Sequence, residues 1–284
     1  MFFAVITIAL CFYCQYNTFI LQQKGRLLMN TLLSRVRQGE KLCGTIVCLS
    51  DPSLFEIMAN AGYDYIWIDM EHSYLSCKEV LCHLNTARSV GTAAIVRVPQ
   101  DDLTVTKKVL EMGPDGIIFP MVRTAAQARE LIAATLYPPL GNRGFGPMRA
   151  IGYGAKDVAQ YTGAQSPGLC RFIQIEHVDC IQELEEIASI DYIDGFIFGP
   201  NDLSGSMNRL GDVFSPEVGE KLQEAISVLR RHGKYIGLAG GHTPDTLRFW
   251  SKLDIDMITA GSDWTFLYDQ SVRTLLDMRA CGMK

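Results

Sequence analysis

From about residue 42 onward the chain repeats one unit eight times: a short, almost continuously apolar run, then a longer amphipathic stretch. The runs are CGTIVCL (43–49), YIWIDM (65–70), AAIVRVP (93–99), GIIFPM (116–121), CRFIQIE (170–176), GFIFGP (195–200), YIGLAG (235–240) and MITAGS (257–262). Each has the length of a strand and lacks polar alternation, as expected of a parallel strand covered on both faces. Between them PSLFEIMANAG, KEVLCHLNTARSVG and LTVTKKVLEMG carry helical periodicity and close on a glycine suited to a helix C-terminus. Eight such units predict an α/β fold, a closed TIM (β/α)8 barrel rather than an open doubly wound sheet. No GxGxxG follows the first run, which weakens the dinucleotide-binding alternative. The 284 residues suit one barrel, which commonly needs about 250.

Composition narrows the setting. A hydrophobic fraction of 48% and a charged fraction of 20% are those of a soluble globular chain. A net charge of -5 offers no basic surface for nucleic acid or anionic lipid. Of the nine cysteines only Cys11 and Cys14 have CxxC spacing, within the apolar N-terminal stretch and without a second pair or a Cys/His ligand spacing, and the cysteines read as reduced thiols of a cytoplasmic enzyme. Residues 1–28 stand apart. Met1 to Cys14 is nearly all apolar but shorter than the roughly 20 residues a membrane span needs, and no Lys or Arg precedes Lys24. This segment reads as an N-terminal extension, disordered, packed or not native. Residues 29–284 read as one barrel domain.

Two stretches interrupt the rhythm. Residues 137–168 are rich in Gly and Pro and too long for a simple connection, and residues 201–216 follow the sixth run. Both are expected to leave from the C-terminal ends of strands, where barrels carry their active sites.

Ionisable residues collect at those same ends. The second run leads into Asp69, Glu71 and His72, the third carries Arg97, the fifth ends in Gln174 and Glu176, and the sixth runs into Asn201 and Asp202. A carboxylate at the end of an apolar strand costs several kcal/mol unless a cation or hydrogen bonds compensate. Read alone, Glu176 fits a helix N-terminal acid and Asp202 an N-cap or turn residue. Together they form an all-oxygen pair suited to a hard cation such as Mg2+ or Mn2+, with positions left open for substrate. His72 with Asp69 nearby fits an oriented base, or a satisfied core histidine. Arg97 fits a carbonyl or carboxylate binder, or a buried ion pair.

The ordered motifs IDMEH (68–72), VRVP (96–99), YPPLGNRGFGP (137–147), QIE (174–176) and GPNDLS (199–204) resemble the HpcH/HpaI family of class II pyruvate aldolases, over residues from about 30 to 280. The resemblance implies a metal-dependent aldolase that uses no Schiff base, cleaving or forming 4-hydroxy-2-oxo acids to give pyruvate and an aldehyde. It places the metal (Mg2+, Mn2+ or Co2+) on Glu176 and Asp202, the base on His72 with Asp69 beside it, and the substrate arginine on Arg97. Gln174 and the main chain at Asn201 match positions that hold pyruvate. Glu111 takes the place of a helix acid that raises the basicity of the histidine, where the family carries Asp. The family also implies a homo-oligomer, often a hexamer. In keeping with it, no lysine stands at the end of any run. The aldehyde is expected towards the 137–168 and 201–216 loops. Competing readings are carbon–carbon lyase chemistry of the citrate lyase β and malyl-CoA lyase kind, without a visible basic cluster for CoA, and an inactive barrel binding a 2-oxo acid.

Overall fold

The computed structural model describes residues 31–165 and 168–283, so the apolar extension 1–28 lies outside the described residues. Eight strands form a closed parallel barrel in chain order: β1 (Leu42–Val47), β2 (Tyr65–Asp69), β3 (Ala93–Arg97), β4 (Gly116–Phe119), β5 (Cys170–Ile175), β6 (Gly195–Phe198), β7 (Tyr235–Gly240) and β8 (Met257–Ser262). Pairing of β8 with β1 completes it, Met257 beside Leu42 and Ile258 beside Cys43. All eight apolar runs of the sequence are strands.

Burial on both faces conceals an ordering that the barrel exposes. Inward positions are apolar at the N-terminal end and polar at the other: Tyr65, Trp67, Asp69 on β2, and Phe172, Gln174, then Glu176 along and just past β5. The lower half of the interior is filled by Leu42, Tyr65, Trp67, Ile95, Ile118, Phe172, Ile197 and Met257. Helix α1 (Leu32–Arg37) plugs its base with Leu32, Leu33 and Val36. The inward Tyr65 ring needs Gly44 opposite, because a Cβ there would stand 2.1 Å from the ring. Its hydroxyl shares a 2.6 Å hydrogen bond with that of Thr259 across the barrel.

Outside, helices cover the wall. Helix α2 (Pro52–Ala61) starts on the Asp51 cap with Pro52 at its first position and stops at the left-handed Gly62. Helix α3 (Cys77–Val90) opens on a Ser76–Glu79 capping box. Then come α4 (Leu103–Met112), α5 (Ala125–Ala133), the short α6 (Val178–Gln182) and α7 (Leu184–Ala188), α8 (Pro200–Ser206), α9 (Pro216–Arg231) and α10 (Pro244–Trp250). Residues 137–168 follow α5, a helix, and not a strand. They therefore leave from the N-terminal face of the barrel, opposite the strand ends, which corrects the placement read from sequence. Tyr137, Ala150, Ile151 and Tyr161 give this excursion a small core of its own.

The last helix, α11 (Asp263–Ala280), behaves differently from the rest. Asp263 is its only buried residue, while Trp264, Leu267, Tyr268, Leu275 and Leu276 are exposed. The outer faces of β8 and β1 are correspondingly bare, with Ile258 partly buried and Cys43 exposed. Among the described residues no helix is long and apolar enough to cross a membrane.

Asp263 anchors this corner. Its carboxylate accepts the backbone N–H groups of Cys48 (3.0 Å), Leu49 (2.8 Å) and Trp264 (2.8 Å), tying the end of β1 to the start of α11. The imidazole of His83, on α3, holds the Leu49 carbonyl from the other side at 2.9 Å, and burial keeps that ring neutral by lowering its pKa. Hydrogen bonds to a charged group contribute about 1.5–3 kcal/mol each. Asp263→Ala should therefore destabilise the protein by at least that amount, read from the midpoint of urea unfolding. An unchanged midpoint would show that the β8–β1 corner closes without it.

Candidate active site

The C-terminal ends of the strands surround a cavity of about 420 Å3 lined by Asp69, His72, Arg97, Gln174, Glu176, Asn201 and Asp202, together with Trp67, Cys48, His242 and Trp264. Seven of the eight residues singled out from sequence thus share one mouth, although 133 positions separate Asp69 from Asp202. Two other cavities, of about 480 and 400 Å3, lie beside Thr31 at the opposite face. In the larger, Arg149 is spent on the Leu84 carbonyl and the Asn85 side chain, tying the 137–168 excursion to α3.

Arg97 is the centre of the mouth. Its Nε donates to Asp69 Oδ1 at 2.8 Å and its Nη2 to Asp69 Oδ2 at 2.6 Å, a two-pronged clamp between adjacent strands in register. Its Nη1 lies 2.9 Å from Glu71 Oε2 in an ionic contact and 3.5 Å from Gln174 Oε1. The guanidinium carbon stands 4.9 Å over the Trp67 ring, so the topmost layer of the apolar filling is its floor. Asp69 therefore serves Arg97 and not His72, as the sequence reading had it. The acid nearest His72 is Glu71, 3.9 Å from Nε2, and the imidazole is largely exposed.

Glu176 follows β5 and is almost fully buried. Its Oε1 accepts from Gln174 Nε2 at 2.5 Å and its Oε2 from the Met121 N–H at 3.1 Å. Gly199, after β6, makes room for it: a Cβ there would come within 2.4 Å of Oε1. Burial pushes the Glu176 carboxyl up to about 8, against the opposing pull of Arg97 and the Met121 N–H, with Glu71 and Asp202 adding to the rise. Burial likewise raises Glu71, again against Arg97. Asn201 and Asp202 occupy the first turn of α8, behind Pro200. In that turn a helix leaves backbone N–H groups without intrahelical partners.

Glu111 is not brought to His72. It sits in the last turn of α4, the end remote from the strand tips, and pairs with Arg143 of the 137–168 excursion at 3.1 Å. Nor does any described residue of that excursion line the cavity, so the expectation that the 137–168 loop borders the site is not met here. The wall facing Glu176 and Asp202 comes instead from β1, β7 and β8, through Ile46, Cys48, Gly241, His242, Ser262, Trp264 and Thr265. These are the residues that sequence reasoning missed. His242 lies just past an apolar run as His72 does, but no acid within that run marks it.

Two carboxylates, Glu176 and Asp202, are the candidate ligands for a divalent cation, and among the described residues no group of three or more His, Cys, Asp or Glu side chains forms a cage. The donors fit a hard cation that leaves positions to a ligand. Asp69, Glu71, Glu176 and Asp202 outnumber the single guanidinium of Arg97 at this mouth, and Glu71 and Asp202 add to the rise that burial imposes on the Glu176 carboxyl.

Known proteins agree with this architecture. The chain is 30% identical over 250 residues to a hydroxypyruvate/pyruvate aldolase of Roseovarius nubinhibens, covering 88% of this chain and 97% of that one. It is 31% identical over 258 residues to a 2-keto-3-deoxy-L-rhamnonate aldolase of Escherichia coli, covering 90% and 95%. An HpcH/HpaI aldolase/citrate lyase family protein of Burkholderia cenocepacia superposes with a TM-score of 0.82 at 28% identity, over 87% of this chain and 98% of that chain. Residues 43–244 match the model of the same family, and on that match the chain belongs to the HpcH/HpaI aldolase/citrate lyase family.

Proposed function

We propose that this protein is a divalent-metal-dependent aldolase, a carbon–carbon lyase that joins pyruvate to an aldehyde or cleaves the resulting 4-hydroxy-2-oxo acid. One observation carries the reading: Glu176 and Asp202 line the same strand-end cavity as Arg97, whose guanidinium Asp69 and Glu71 already engage, so the acid groups of the mouth exceed its engaged guanidinium and a cation suits them. The relatives' names, pyruvate and 2-keto acid aldolases, support a 2-oxo acid as the substrate class. Neither the citrate lyase β and malyl-CoA lyase reading nor an inactive barrel gains from the geometry. Among the described residues Arg97 is the only Arg or Lys lining the cavity and is already engaged, so none of them suits the phosphates of CoA. The exposed apolar side of α11 supports a homo-oligomer, since a second copy is the simplest cover for it.

Glu176 and Asp202 would hold the cation, Mg2+ or Mn2+ by the hardness of their oxygens. Bound there, it supplies Lewis acidity at the 2-oxo acid. Arg97, fixed by Asp69 and Glu71, adds positive charge where negative charge develops on the 2-oxo oxygen. Gln174, held by Glu176, presents its amide beside the same oxygen. His72, exposed at the rim, moves the proton between pyruvate C3 or the product hydroxyl and solvent. Among the cavity-lining residues there is no lysine, so borohydride with pyruvate should trap no covalent adduct; a mass increase on any lysine would assign the Schiff-base route instead.

The metal assignment can be tested through protons. A Glu176 carboxyl with a pKa near 8 must release its proton before it binds a cation, so acid competes with metal. Mn2+ affinity measured by calorimetry should rise close to tenfold per pH unit towards about 8 and then level off. Glu176→Gln and Asp202→Asn should abolish turnover with an unchanged circular dichroism spectrum. An affinity that is flat with pH removes Glu176 from the site.

His72 and Arg97 should separate by what each loss affects. His72→Ala should slow cleavage by about 10²–10⁴-fold while oxalate, a pyruvate analogue, still binds. Arg97→Ala should weaken oxalate as well, and should also lower the unfolding temperature, because it strands Asp69 and Glu71 without their counter-ion. Arg97→Lys should recover only part, since an ammonium cannot span both Asp69 oxygens. Normal rates in His72→Ala would move the proton transfer to Glu71.

A further inference from the structure

The cavity is larger than a three-carbon oxo acid fills, and its far wall has a chemistry of its own. That wall carries no open cation: Arg97 is taken up by Asp69 and Glu71. Its thiol is neutral, since burial pushes Cys48 up to about 12. Its hydroxyls are already committed. Thr265 accepts from the Ser262 N–H at 2.8 Å and donates to the Ser262 carbonyl at 2.8 Å, and the Ser262 hydroxyl turns to Thr265 at 3.2 Å.

His242 is different. It follows β7, and its ring is held from two sides by the start of α11. Phe266 meets it edge-on at 5.5 Å, and Asp269 Oδ2 lies 2.8 Å from Nε2. Gly261 is what allows this packing: it has φ +68°, and a Cβ there would stand 2.4 Å from the Phe266 ring. In the neutral ring a carboxylate at Nε2 favours the tautomer with the proton on that nitrogen, which leaves Nδ1 as an acceptor. Among the described residues Nδ1 has no hydrogen-bond partner, and the residue lines the cavity.

We propose that His242, positioned by Asp269, is a specificity residue that accepts a hydrogen bond from a hydroxyl of the aldehyde, so that the preferred partner is an uncharged hydroxyaldehyde. An aldehyde bearing a carboxylate finds no Arg or Lys to pair with among the described residues of that wall. An aldehyde with no hydroxyl leaves Nδ1 without its partner. The proposal rests on the aldolase reading above, and its test keeps the two apart.

With pyruvate as donor, kcat/KM is measured for glycolaldehyde, for acetaldehyde, which lacks only the hydroxyl, and for glyoxylate, which carries a carboxylate. The quantity read is the glycolaldehyde-to-acetaldehyde ratio within each variant, so a change in the pyruvate half of the reaction cancels. In His242→Leu the ratio should fall about three- to tenfold, the size of one partly exposed hydrogen bond. His242→Asn, which keeps an acceptor, should retain part of it. Asp269→Asn should fall between, because an amide can donate to Nε2 and reverse the tautomer. The parent should use glyoxylate less well than glycolaldehyde. An unchanged ratio in His242→Leu, or a parent that prefers glyoxylate, overturns the proposal. Deuterium exchange at pyruvate C3 in the parent, with Mn2+ and no aldehyde, tests the underlying reading separately. Exchange without His242-dependent selection sinks the specificity role alone, and no exchange sinks both.

Discussion

The guanidinium of Arg97 lies where the apolar filling of the barrel ends and its charged mouth begins. Below it is the Trp67 ring, beside it the two oxygens of Asp69, and above it Glu71. A buried carboxylate is costly on its own, and the pairing of adjacent strands supplies the remedy: in-register β2 and β3 put Asp69 and Arg97 side by side. The rest of the site follows from that placement. Gln174 reaches both Arg97 and Glu176, and Glu176 takes its remaining hydrogen bond from the Met121 backbone. The mouth is therefore one connected polar network standing on an apolar column. Removal of any member leaves the others unsatisfied in a low dielectric.

This network is not neutral. Four acid groups share the mouth with one guanidinium, and burial, with a smaller contribution from their mutual repulsion, raises the Glu176 and Glu71 carboxyls against the pull of Arg97. A divalent cation held by Glu176 and Asp202, as proposed, would favour their ionised forms and suit the same residues to stabilising charge on a 2-oxo acid. The opposite wall is neutral, which divides the cavity into a charged half and a half that can choose a partner by shape and hydrogen bonding. His242 belongs to the second half.

The helical shell adds a further asymmetry. Most of the connecting helices bury an apolar stripe against the barrel wall, while α11 is held chiefly at its first turn by Asp263. That turn also carries Trp264, Thr265 and Phe266 to the mouth. The helix thus shapes the selective wall with its start and leaves most of its length uncovered. The 137–168 excursion works at the other face, where Arg143 meets Glu111 and Arg149 binds the carbonyl of Leu84 on α3.

The barrel was legible in the chain because eight runs without polar alternation have few other ways to bury both faces. The residues that line the strand-end mouth were legible for a related reason: an acid at the end of an apolar strand is rarely placed there by stability. Sequence could not say which side chain each would meet. Asp69 and His72 are three positions apart, yet the inward direction of the strand hands Asp69 to Arg97 on the neighbouring strand. Glu111 lies at the wrong end of its helix to reach the mouth of its own barrel, a matter of helix length and direction. The 137–168 excursion looked like an active-site loop until the helix before it fixed the face it leaves from. His242 carried no mark at all, because its partners Phe266 and Asp269 come from another element. Local patterns record what each segment must bury. Only closure of β8 onto β1 decided which buried and half-buried groups would face one another.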